Sequence, residues 1–74
     1  MVRIPETGSY TLRQWRNFYE LTQQEAAAKI GIDTGTLSNY ERGKSFPDVP
    51  NIRKIEQAYN IPYSRIIFLP DNYD

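Results

Sequence analysis

Apolar residues recur at helical spacing through most of this chain, and the breaks in that rhythm hold capping and turn residues. Leu12, Trp15, Phe18 and Tyr19 share one face of a helix, while Arg13, Gln14 and Asn17 share the other. Thr11 followed three residues later by Gln14 forms a capping box, each side chain satisfying a backbone N–H that a new helix leaves unpaired. Tyr10 before the cap and Trp15 beyond it have the spacing of a hydrophobic staple. The pattern predicts a first helix over 12–19. Thr22 and Glu25 repeat the capping box with Leu21 in front, and Ala26, Ala27, Ala28, Lys29 and Ile30 propagate a second helix over 23–30. Gly31 ends it, because glycine adopts the left-handed conformation at little cost.

Asp33 caps a third predicted helix over 34–41. Its inner face carries Leu37 and Tyr40, and its outer face carries Thr34, Gly35, Ser38 and Asn39, all small and polar. Gly43 ends it, and 44–47 reads as a loop. Asp48 caps a fourth helix with Pro50 in the first turn, where no N–H is missed. Ile52, Ile55, Ala58 and Tyr59 give that helix its stripe, and Asn60 stops it. Pro62 then opens a short fifth helix with Tyr63, Ile66 and Ile67, ended by Pro70. Residues 1–10, with Pro5 and Gly8 and no period, read as an extended arm or frayed end. Residues 71–74 read as a polar tail. No stretch alternates long enough to argue a strand. The expectation is an all-α domain of five helices over 11–70.

Composition narrows the function. The 74 residues make one domain, near the size at which one hydrophobic core just suffices. With no cysteine and no histidine, disulfides, thiolate metal sites and the commonest general base are all missing. No phosphate-cradling glycine loop or carboxylate cluster stands in for them, so an enzyme is rejected and no cofactor, metal or small-molecule ligand is expected. The longest apolar run, Ile66–Leu69, is far too short for a membrane span, no secretory signal opens the chain, and the default compartment is the cytoplasm.

Nine basic and nine acidic residues cancel, which weighs against a nucleic-acid partner. Their distribution weighs the other way. Arg42, Lys44, Arg53 and Lys54 face one acid, Asp48, between 42 and 54. Positive charge therefore gathers just beyond the third helix.

The most informative stretch is 21–47, where two short helices joined by Gly31-Ile32-Asp33 have the layout of a helix-turn-helix. Ala27 is small where the third helix crosses. Ile32 and Leu37 fill the space between the helices, and Tyr40 anchors the third to the core. Gln23 sits at the start of the second helix, where free N–H groups and the helix dipole favour a phosphate. The chain resembles the Cro and C1-repressor type, or Xre family, of helix-turn-helix proteins from phages and bacteria. The likeness covers roughly 12–69. It rests on Leu12-Arg13 with Arg16, on Leu21-Thr22-Gln23 with Glu25, Ala27 and Lys29-Ile30-Gly31, on Leu37-Ser38, and on Tyr40-Glu41-Arg42-Gly43-Lys44 with Pro47.

That resemblance implies a compact five-helix lambda-repressor-like domain and a transcriptional regulator whose third helix reads the major groove of a double-stranded DNA operator. Carried over by position, Thr34, Gly35, Ser38 and Asn39 would face bases. Gln23, Arg42 and Lys44 would hold phosphates, and Arg16 and Glu41 would form a structural ion pair. Asn39 suits adenine, since its amide donates and accepts at once. Two features depart from the family pattern: Gly35 offers no side chain, and Asp33 repels nearby phosphate. They keep open a second class, a protein-interaction module such as an antirepressor, co-repressor or antitoxin-like partner. Ile66, Ile67 and Phe68 are candidates either for core closure or for a homodimer contact through the C-terminal helix. No domain follows residue 74 in this sequence, so a dimer would use the domain itself.

Overall fold

The computed structural model describes residues 4–68. Four α-helices form its body: α1 (Leu12–Phe18), α2 (Gln23–Ile30), α3 (Thr34–Glu41) and α4 (Val49–Tyr59). Local chemistry accounts for their ends. Thr11 accepts from the Gln14 N–H while the Gln14 side chain accepts from the Thr11 N–H, and Thr22 and Glu25 do the same for α2. Asp33 and Asp48 cap α3 and α4 by accepting from Gly35 and Asn51. Gly31, at φ 93°, turns the chain between α2 and α3. The end of α3 is a Schellman motif: Gly43, at φ 76°, donates to Tyr40, and Lys44 donates to Asn39.

The predicted fifth helix does not form. Only Tyr63–Arg65 make a single 3-10 turn, and Ile66–Ile67 then run extended as β2. β2 pairs in parallel with β1 (Tyr10–Thr11), Tyr10 opposite Ile66 and Thr11 opposite Ile67. Among the described residues the fold is therefore four α-helices and a two-stranded bridge rather than five helices. Two adjacent β-branched residues favour extended backbone, and this pairing gives them a partner. Pro70, expected to end the fifth helix, lies outside the described residues, as do Leu69 and the tail.

The stretch before β1 is held in place rather than frayed. Arg65 donates from Nε to the Gly8 carbonyl at 2.8 Å and from Nη2 to the Pro5 carbonyl at 3.1 Å. Ser9 donates to the Ser64 carbonyl at 3.2 Å. Tyr10 also staples the start of α1, its ring meeting Trp15 edge-on at 5.5 Å and Phe18 at 5.0 Å.

One core joins all these elements. Leu12 and Trp15 of α1, Ala26, Ala27 and Ile30 of α2, Leu37 and Tyr40 of α3, and Ile55 and Tyr59 of α4 are buried together, with Ile61 and Ile66 closing the end. Ala26 and Ala27 let α2 lie close to its neighbours, where a longer side chain would force the helices apart. Among the described residues, no helix is long and apolar enough to cross a membrane.

Candidate nucleic-acid interface

The orientation of α3 sets the site. Leu37 and Tyr40 point inward, and the Tyr40 hydroxyl accepts from the Asn51 amide at 2.9 Å, tying α3 to α4. Thr34, Gly35 and Asn39 are exposed, and Ser38 is half-buried beside them. The outer face thus presents hydroxyls, an amide and bare backbone, with nothing bulky in front of them. Gly35 also has a structural reason. A Cβ there would lie 3.0 Å from the Asp33 carboxylate that caps the helix.

Beside this face lies a shallow concavity lined by Arg13, Arg16, Gln23, Glu41 and Arg42. Glu41 organises it. Its buried carboxylate receives Arg16 Nε at 2.8 Å, Arg16 Nη2 at 3.2 Å and Gln23 Nε2 at 3.0 Å. Arg16 also donates from Nη1 to the Leu21 carbonyl at 3.0 Å. One fork of donors therefore joins α1, the start of α2 and the end of α3. A two-pronged guanidinium–carboxylate pair fixes orientation as well as charge. With the Glu41 charge matched by Arg16, the exposed guanidiniums of Arg13 and Arg42 leave the concavity positive.

The candidate phosphate ligands are distributed unevenly. Gln23 and Arg42 share the concavity, whereas Lys44 is exposed just past the end of α3. The Gln23 amide is half-buried and already engaged with Glu41. Arg13 was not singled out by sequence reasoning, which placed it on a solvated face; its spacing of three from Arg16 was the available signal. The three C-terminal candidates do not form one patch. Ile66 is buried in the core, Ile67 is exposed, and Phe68 is half-buried with its ring 6.3 Å from that of Phe46. Extended backbone turns successive side chains to opposite faces, so Ile66 enters the core while Ile67 faces solvent.

Two short helices crossing at a glycine turn, the second with a bare polar face, define a helix-turn-helix domain. A helix-turn-helix family model matches residues 12–66, and the chain belongs to the Cro/C1-type helix-turn-helix family. It is 40% identical over 50 residues to the HTH-type transcriptional regulator ImmR of Bacillus subtilis (strain 168), a match covering 68% of this chain and 39% of ImmR. It is 29% identical over 59 residues to the cryptic phage CTXphi transcriptional repressor RstR of Vibrio cholerae, covering 80% of this chain and 53% of RstR. An uncharacterized HTH-type transcriptional regulator of Archaeoglobus fulgidus is 30% identical over 60 residues, covering 81% of this chain and 86% of that protein. The chain thus spans about two fifths of ImmR and about half of RstR. No solved structure matches the chain.

Proposed function

We propose that this protein is a DNA-binding transcription regulator that reads an operator through the major groove with α3. One observation carries the reading: the outer face of α3 is exposed and polar, and a concavity bearing Arg13 and Arg42 lies directly beside it. In this reading Asn39 reads adenine, with Thr34 and Ser38 hydrogen-bonding base edges or meeting a thymine methyl. Gly35 lets the backbone come close to the groove. Gln23, Arg42 and Lys44 hold phosphates, and Arg16 acts through the Glu41 pair. The described residues extend about 31 × 23 × 23 Å, shorter than one DNA turn of about 34 Å, so one copy covers a half-site and a homodimer a full operator.

Titration of operator fragments from the neighbouring promoter region across salt tests this. Each phosphate contact adds about 0.9 to the slope of log affinity against log salt, so several contacts give a steep line. A slope near zero on every fragment removes the proposal.

A second reading, a protein-interaction module, is favoured by zero net charge and by the exposed Asp33 at the start of α3. Recovery of a stoichiometric protein partner, with no DNA fragment shifted, would favour it over the first.

A further inference from the structure

Helix α4 has two faces with different surroundings. Ile55 and Tyr59 are buried in the core. Val49, Ile52, Arg53 and Glu56, at spacings of three and four, line a groove on the face adjoining it, which Tyr63 closes. Val49 is 62% exposed and Tyr63 59%. The Tyr63 backbone N–H donates to Glu56 Oε2 at 2.7 Å, which fixes that wall of the groove. Large apolar side chains left bare together around a cleft mark an interaction site.

We propose that this groove is the contact between two copies of the chain. Charge argues for a second copy as the occupant. The groove carries one cation and one anion a single turn apart on the same helix, Arg53 and Glu56. A two-fold axis centred between them sets the two α4 helices antiparallel. Arg53 of each copy then faces Glu56 of the other, giving two equivalent ion pairs from one self-complementary surface. The same operation lays Val49 and Ile52 of each copy against the Tyr63 end of its partner. Zero net charge removes the copy-to-copy repulsion that a strongly basic DNA-binding protein would carry. The contact deepens the operator reading by supplying its two-fold, and moves the dimer surface from Ile66–Phe68 to α4.

The test is the mass in solution by sedimentation, without DNA. A contact of this size is weak, and the wild-type chain is expected to be dimeric at about 100 µM and to dissociate on dilution. R53E alone and E56K alone place like charges opposite each other, and each is expected to weaken association about tenfold or more. Mixing the two restores both pairs and is expected to give a heterodimer. Because E56K also removes the acceptor of the Tyr63 N–H, V49E provides an independent disruption from outside the core. Circular dichroism checks that each variant folds. A monomeric wild type at that concentration, a V49E variant that still dimerises, or two folded charge variants that do not associate when mixed would each overturn the inference. Operator binding is measured on the same samples. DNA binding by a monomer refutes this contact and leaves the proposed function standing; a dimer that binds no DNA does the reverse.

Discussion

Trp15 and Arg65 hold each other twice. The indole N–H of Trp15 donates to the Arg65 carbonyl at 2.9 Å, and the Arg65 guanidinium lies 5.0 Å from the Trp15 ring centroid. The same guanidinium reaches the carbonyls of Gly8 and Pro5. A buried indole N–H needs a partner, and here the chain 50 residues away supplies it. Arg65→Ala keeps the backbone acceptor but removes the cation over the ring and two donors to the N-terminal stretch. The expected loss is about 1–2 kcal/mol in urea unfolding. Hydrogen exchange at residues 8–11 is expected to rise in step. Unchanged stability and unchanged exchange would contradict the clamp.

Glu41→Ala removes the acceptor of three hydrogen bonds and leaves the largely buried Arg16 charge without its partner. Breaking a buried pair from one side costs about 3 kcal/mol or more, a large share of the stability of so small a domain. Gln23→Ala removes one donor from the same carboxylate and is expected to cost about 1 kcal/mol. Urea midpoints for the two variants check the ranking, and equal losses would contradict it.

Tyr59 supplies a pH dependence. Burial pushes its hydroxyl well above the usual tyrosine value; the Glu41 carboxylate acts in the same sense and Arg16 opposes it. The folded state therefore keeps this proton where the unfolded chain has lost it. Stability from this source is complete below about pH 10, the unfolded value, and declines as pH rises beyond it. The expected decline is about 1 kcal/mol per pH unit, read as the difference between wild type and Tyr59→Phe in urea unfolding from pH 9 to 11. At pH 7 the phenylalanine variant is expected to be at least as stable, because the buried hydroxyl has no hydrogen-bond partner among the described residues. A variant that keeps the wild-type alkaline slope would refute the assignment.

Asn39→Ala and Arg42→Ala separate base reading from phosphate holding. The first is expected to cost about 1–3 kcal/mol on the preferred operator and to flatten discrimination at one base pair. The second is expected to weaken all sequences alike and to lower the salt slope by about 1. Competition binding against single-base operator variants distinguishes them. A uniform loss from Asn39→Ala would remove it from the reading face.

What the sequence disclosed was local. The Thr11–Gln14 and Thr22–Glu25 boxes, the Asp33 and Asp48 caps and Gly31 each act within about one turn of themselves, so all four helices were readable from short windows. The inward turn of Leu37 and Tyr40 followed from helical period. What stayed hidden lies between distant residues. The Tyr10–Ile66 pairing joins two-residue strands too short to show an alternation. Tyr63, Ile66 and Ile67 have spacings that a helix would also use, and only contact with β1 decides between the two conformations. The engagement of Gln23 by Glu41, and the placing of Arg13 and Arg42 around one concavity, likewise depend on how α1, α2 and α3 pack.

The parallel bridge between 10–11 and 66–67 makes the domain a closed loop in the topological sense, buckled where its two ends meet. A chain fastened in this way has no outermost turn from which melting can start cheaply. Releasing either strand frees the other and uncovers Trp15 beneath both. Opening near the ends is then an event of the whole domain, and exchange of the Ile67 amide should follow global unfolding instead of running ahead of it.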